Sequence, residues 1–217
     1  MKQVAVILSG SGVFDGAELH EAVLTLLAIE LEGAAYQCFA PDMEQLHVVN
    51  HLTGEVAEGE TRNVLVESAR VARGDIKPVS ECDVNAFDVL ILPGGFGAAK
   101  NLCTFAVDGD ACTFNDDVLK VCRAFAAAKK PAAYACIAPA LAAKVYGNSV
   151  KLTIGNDEAT ANGLNALGAT HVNCAVDEVV VDNEVKLVTT PAYMLAQSIT
   201  EANNSISKMV KTVLSMK

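Results

Sequence analysis

The chain has no cysteines spaced C-x-x-C, no apolar run that reaches the ~18–20 residues of a membrane-spanning helix, and no basic cluster interleaved with aromatics. The first absence excludes the sequence form of a thioredoxin-like redox motif or a zinc ribbon. The second leaves no membrane role to expect. The third, with 16 Lys and Arg against 26 Asp and Glu and a net charge of −10, argues against a phosphate-backbone partner, so no nucleic acid is expected. The opening MKQVAVILSGSG places only seven residues between Lys2 and Gly10, which reads as a strand rather than a signal peptide. Together with an odd number of cysteines, seven, this sets the expected location as a reducing cytoplasm.

What is present is an alternation of short apolar runs with longer amphipathic ones, the pattern of an α/β protein with a mostly parallel sheet. At 217 residues the chain fits a single domain, 1–217, with a substantial core. VAVILS (4–9), AYQCFA (35–40), DVLILPGG (88–95) and PAAYA (131–135) read as strands, and KLTIG (151–155) as a further one. Helices are expected over 17–32, 60–73, 118–130, 137–147 and 157–168, with a hairpin near 47–55 and another over 178–190. A long helix is expected from Ala192 to the end.

Cys136 stands where PAAYA meets IAPALAAKVYG. Such a strand-to-helix elbow lifts one side chain at the carboxyl edge of the sheet, and the next helix aims its free N–H groups at it. Read this way Cys136 is a nucleophile; the competing reading is a buried cysteine packed as a small hydrophobe. Lowering a thiol from pKa ~8.5 to ~6 takes roughly 3.4 kcal/mol, which a helix N-terminus and one hydrogen bond to the thiolate supply together. Cys136 is therefore expected to be the most acidic of the seven thiols.

Leu92-Pro93-Gly94-Gly95 ends a strand with two glycines, whose amides are unobstructed. The Gly95 and Ile137 amides are the candidate oxyanion hole. Asp15 and Glu18 are spaced as capping-box partners, whereas Glu21, one turn deeper among Ala22, Val23 and Leu24, has no such role. Buried, it would stay protonated and donate a hydrogen bond to the thiolate; exposed, it would be an ordinary helix-surface charge. Gly94 and Asn101 in the glycine-rich turn, and Pro191 and Tyr193 in TTPAY, are the candidate substrate-binding residues. None of the four histidines is near Cys136 in sequence. Gly10, Gly12 and Gly16 have the wrong spacing for a dinucleotide fingerprint, and no Walker lysine follows, so no cofactor and no metal are expected.

GAELHE around Glu21, LPGG at 92–95, YACIAPA around Cys136 and LVTTPAY before the last helix resemble the ThiJ/PfpI superfamily. ILSGSGVFDGAELHEAVLTLLAIE, NHLTGE, ETRNVL, PGGFGAAKNL, CIAPA and TTPAYMLAQ resemble more closely its ElbB group, described as glyoxalases and as isoprenoid-biosynthesis proteins with an amidotransferase-like domain. The resemblance covers essentially the whole chain. It implies a flavodoxin-like three-layer α/β sandwich with helices on both faces of the sheet, a nucleophile elbow, and a homodimer. It implies a functional pair in Cys136 and Glu21, and a small aldehyde as substrate. Ile137 and TTPAY depart from relatives that place a histidine at those points. The leading expectation is a cofactor-independent glyoxalase making glycolate from glyoxal. The alternatives are a thiol sensor and an amidotransferase-like subunit linked to isoprenoid biosynthesis.

Overall fold

The computed structural model describes residues 1–217. In chain order the elements are β1 (Gln3–Ile7), α1 (Leu19–Leu31), β2 (Ala35–Ala40), the hairpin β3 (Val49–Asn50) and β4 (Glu55–Val56), α2 (Val64–Val71), β5 (Ile76–Pro78) and β6 (Val89–Leu92). A π-helical turn (Ala98–Leu102), the short α3 (Phe105–Asp108), α4 (Asp116–Ala127), β7 (Ala132–Ala135) and α5 (Pro139–Tyr146) follow. The chain closes with β8 (Lys151–Leu152), α6 (Glu158–Ala166), β9 (Thr170–His171), β10 (Val180–Asp182), β11 (Leu187–Thr190) and α7 (Ile199–Ser215).

Seven strands form one sheet in the order β10-β11-β7-β6-β1-β2-β5, parallel throughout except for β10 at one edge. The central strands are apolar almost without interruption because both of their faces are covered. Their alternate residues split between two cores. Ile7, Leu90, Leu92 and Tyr134 pack against Val118, Cys122 and Phe125 of α4 and Leu141 of α5. Val4, Val6, Ile91 and Val188 pack against Ala22 and Ile29 of α1 and Ile206, Met209 and Val210 of α7. The result is the flavodoxin-like three-layer α/β sandwich.

The sheet grows outward in one direction from β1 through β2 and β5, then in the other from β6 through β7 to β11. The reversal between β1 and β6 opens a crevice at their carboxyl ends, where ligands of such sheets bind. The turns that follow β1, β6, β7 and β11 all meet there.

Several boundaries differ from the sequence reading. KLTIG supplies only the two residues of β8, which pair with β9 outside the main sheet. The last helix starts at Ile199 rather than Ala192, because Ala192–Met194 forms a tight 3-10 turn and Ser198 caps the helix by accepting the Glu201 amide at 3.2 Å. The Asp15–Glu18 capping box does not form. Glu18 is itself the N-cap of α1, accepting the Glu21 amide at 2.7 Å, while Asp15 accepts the Val49 amide across the crevice. No helix is long and apolar enough to cross a membrane.

Candidate active site

Cys136 is the first residue beyond β7 and adopts φ = 58°, a left-handed conformation that costs a non-glycine residue of order 1–3 kcal/mol. Its amide donates to the Thr190 carbonyl at 3.0 Å, and the Ala138 amide closes the turn onto Ala135 at 2.9 Å. These bonds hold the strained elbow in place. Thr190 is fixed in turn, since its hydroxyl lies 2.8 Å from that of Ser205 on α7 and donates to the Glu178 carbonyl.

Glu21 has no exposed surface. One carboxyl oxygen accepts the Gly94 amide at 2.9 Å and the other the Tyr193 amide at 3.0 Å. The carboxyl is thus oriented by two backbone donors from different strand ends. Burial, reinforced by the charge of Glu18, pushes its pKa up to about 7 against the opposing pull of the two amides and of Cys136. Of the two readings open in the sequence, the surface charge is the one the geometry removes.

Gly94 separates carboxyl and thiol. A Cβ there would lie 2.6 Å from Glu21 Oε2 and 3.0 Å from the Ala135 carbonyl, and would overlap Cys136 Cβ, so only glycine fits. Gly95 carries φ = 97° against the backbone of Gly16 and Glu18, which aims its amide at Cys136. The Gly95 and Ile137 amides both favour the thiolate.

They do not win outright. Burial, followed by the charge of Glu21, raises the Cys136 thiol well above its ordinary value. The expectation of the most acidic thiol is corrected on this point: the elbow thiol is covered, and a carboxylate lies beside it. Two buried negative charges in contact are costly, so the Glu21 carboxyl gives up its proton first, near pH 7, while the thiol keeps its own and donates to the carboxylate, the reverse of the polarity expected from the sequence. The thiol shifted downward is instead Cys112.

Above the pair lies a cavity of about 190 Å³ whose floor is Cys136 and Gly95. Val13, Phe96, Ile137 and Met194 make its walls apolar, with Glu18, Thr160 and Tyr193 as the polar exceptions. Tyr193 thus reaches the cavity, whereas Pro191 begins the turn behind it. Asn101 does not border this cavity. Its amide nitrogen donates to the Ser9 and Asp15 carbonyls and its oxygen accepts the Leu46 amide, each at 2.9 Å, so the side chain is a structural brace. Glu18, Phe96 and Thr160 were missed from sequence. Glu18 had a cap-like spacing that concealed its position on the cavity wall, and Thr160 arrives from an element with no sequence link to the elbow.

No histidine borders the cavity. His20 meets the Tyr193 hydroxyl at 2.8 Å on the exposed side, His51 bonds the backbone of Val49 and Phe14, and His171 accepts the Ile154 amide. Asn63 and Arg62 are likewise engaged, as the cap of α2 and as an ion-pair partner of Glu60 and Glu67. No group of three or more His, Cys, Asp or Glu side chains is arranged to hold a metal ion.

No family model matches the chain. It is 46% identical to the mitochondrial ES1 protein homolog of Rattus norvegicus, over 99% of this chain and 84% of that one. It is also 46% identical to the mitochondrial glutamine amidotransferase-like class 1 domain-containing protein 3 of Homo sapiens, over 99% and 83%. Among solved structures, the isoprenoid biosynthesis protein with amidotransferase-like domain from Ehrlichia chaffeensis superposes with a TM-score of 0.90 at 36% identity, covering 98% of both chains. Glyoxalase III from Candida albicans shares the fold, with a TM-score of 0.62 at 14% identity over 99% and 96%. The mitochondrial relatives overturn the cytoplasmic expectation. Cysteine usage reports a reducing environment and not its address.

Proposed function

Since the chain belongs to the family of the ES1 proteins and the glutamine amidotransferase-like class 1 domain proteins, we propose that residues 1–217 act as one catalytic domain, a cofactor-independent glyoxalase. The observation that carries this reading is the contact of Cys136 with the buried Glu21 carboxyl, whose pKa is about 7, beneath an apolar cavity whose floor includes the Gly95 amide.

In this reaction the Cys136 sulfur adds to one aldehyde carbon of glyoxal as its proton passes to Glu21. The Gly95 and Ile137 amides hold the oxygen that becomes negative. Glu21 returns the proton to that oxygen, giving a hemithioacetal. As carboxylate it then removes the hydrogen from the carbon bonded to sulfur, and an enediolate forms. Glu21 delivers that proton to the neighbouring carbon while the hydroxyl proton on the sulfur-bearing carbon passes to the second oxygen, which leaves a thioester of glycolate. Water cleaves the thioester, releasing glycolate and restoring the thiol. A carboxyl with a pKa of about 7 suits a group that must accept and return the same proton near neutrality.

Glutamine hydrolysis fits less well, because no histidine borders the cavity to serve a leaving amine. The test is turnover of glyoxal by the purified protein, with glycolate identified by NMR and Cys136→Ser as the control. No glycolate from the wild-type protein, or equal amounts from both, would overturn the assignment.

The same reading includes a homodimer. Leu19, Val23, Leu27 and Leu31 recur every four residues along α1 and are all exposed, a stripe that begins one residue after Glu18. A second copy packed on this stripe would lie beside the cavity. Sedimentation analysis checks this: the wild type is expected as a dimer and Val23→Glu as a monomer.

A further inference from the structure

The cavity above Cys136 has one acidic side chain on its wall that the proposed chemistry does not use, Glu18. Its place is set by the backbone: the Glu18 amide donates to the Gly94 carbonyl at 3.0 Å, and the residue stands immediately before the first turn of α1. One carboxyl oxygen, Oε2, accepts the Glu21 amide at 2.7 Å. The other, Oε1, makes no hydrogen bond, yet it is not fully enclosed. The small surface that Glu18 keeps, 9% of its full exposure, borders the cavity. Its charge is felt on both sides of that space: after burial, the largest cause at both groups, it raises the proton affinity of Glu21 and of Tyr193.

No cation answers this charge. No Lys, Arg or His borders the cavity. The Lys100 ammonium lies over the Phe96 ring, 5.3 Å from its centroid, and is spent on the Phe14 carbonyl at 2.9 Å. His20 meets the Tyr193 hydroxyl on the exposed side.

We propose that Glu18 sets the charge selectivity of the site, so that the cavity admits small uncharged carbonyl compounds and excludes carboxylates of the same shape. An anion that enters brings its charge among apolar walls beside Glu18, with little water to screen the repulsion. An uncharged ligand meets the same walls without that cost and can donate a hydroxyl to Oε1. The Gly95 and Ile137 amides are open to the carbonyl oxygen of either ligand, whereas the full charge of Glu18 repels only the anion. Selectivity of this kind comes from a repulsive element.

The exclusion itself is independent of the reaction, but one consequence rests on the glyoxalase reading. A neutral 2-oxoaldehyde enters and is carried to the thioester. Water then adds to the acyl carbon, the C–S bond breaks with sulfur taking one proton of that water, and the acid so formed gives up its own proton. The product is a carboxylate in a cavity that rejects carboxylates, and the charge of Glu18 drives it out.

The test compares lactamide with lactate, alike in shape and different in charge, by saturation-transfer NMR titration of the full-length protein at pH 6. At that pH Glu21, with a pKa of about 7, mostly holds its proton, so Glu18 acts alone. Protein alkylated at Cys136 serves as the blank for binding elsewhere. The wild type is expected to bind lactamide at least about tenfold more tightly than lactate. In Glu18→Gln, whose amide oxygen still accepts the Glu21 amide, lactate affinity should rise about tenfold while lactamide affinity changes less than about twofold. Glu18→Asp keeps the charge and should still reject lactate. The proposal is overturned if the wild type binds lactate as well as lactamide or takes neither, if Glu18→Gln gains nothing for lactate, or if Glu21→Gln alone opens the cavity to lactate. The wild-type comparison decides even if a variant folds poorly. None of these readouts needs turnover: selective binding by a protein that makes no glycolate removes the glyoxalase reading and leaves this one, and glycolate production with equal binding does the reverse.

Discussion

Two cavities near the carboxyl edge of the sheet differ in a way that size does not reveal. One, of about 430 Å³, is bordered by Met43, Leu46, Asn101, Cys103 and Asn115. The other, of about 190 Å³, has Cys136 and Gly95 as its floor. In the larger, the two asparagines are already engaged: Asn101 makes three hydrogen bonds, and Asn115 accepts the Val118 amide as the cap of α4. In the smaller, a thiol, an ionisable carboxyl and two backbone amides converge with bonding capacity left over. The difference teaches that unspent polar groups, more than volume, mark a reactive site here.

The comparison breaks most sharply at the sulfurs. Cys136→Ser is expected to reduce glyoxal turnover by about three orders of magnitude or more, since a hydroxyl is a far poorer nucleophile without a strong base. Cys103→Ser, at the larger cavity, should leave reduced-state turnover within about threefold of wild type. Steady-state assays of both variants decide the point, and equal losses would dissolve the distinction between the cavities.

Gly94→Ala tests the contact between thiol and carboxyl. The added methyl group collides with Cys136 Cβ and Glu21 Oε2, so turnover should fall by about a hundredfold. Overpacking should also cost about 1–3 kcal/mol in denaturant unfolding.

Glu21 supplies a signed pH dependence. Its carboxyl has a raised pKa in the folded state, about 7 against 4.5, so the folded protein holds this proton more tightly than the unfolded chain. The stabilisation is full below pH 4.5 and is lost as pH rises through 7, a change of about 3 kcal/mol. Glutamine does not titrate and has one acceptor oxygen for two amides. Glu21→Gln should therefore be less stable than wild type at pH 4.5 and should recover about 3 kcal/mol relative to it by pH 8, read from urea unfolding at both pH values. Wild-type turnover should rise through pH 7 as the pair loses its first proton. A profile flat from pH 6 to 8 would separate Glu21 from the chemistry.

The smallest expected effect is at the rim. His20→Ala removes the 2.8 Å bond to the Tyr193 hydroxyl but leaves the Tyr193 amide on Glu21. Turnover should change by less than about threefold, which a single kinetic comparison checks.

Much of the architecture was legible because its signals are local. VAVILS, AYQCFA, DVLILPGG and PAAYA announced the central strands through apolar runs of strand length, and the abrupt change from AYA to IAPALAA placed Cys136 on a turn. Elements without enough residues for a periodic signal escaped. The three-residue β5 and the π-helical turn at Ala98–Leu102 are examples, and the irregular path from Pro191 to Ser198 was read as helix.

By itself the sequence determined which strands form the core, that a cysteine follows β7, and that two glycines follow β6, because each depends on neighbours in the chain. Only the tertiary structure decided that Glu21 is buried with its carboxyl tied to Gly94 and Tyr193, that Asn101 is a brace, and that burial and the Glu21 charge raise the Cys136 thiol instead of acidifying it. Proton affinity depends on desolvation and on the charges and donors that surround a group. Here those neighbours come from strand ends and helices scattered along the chain, and folding alone assembles them.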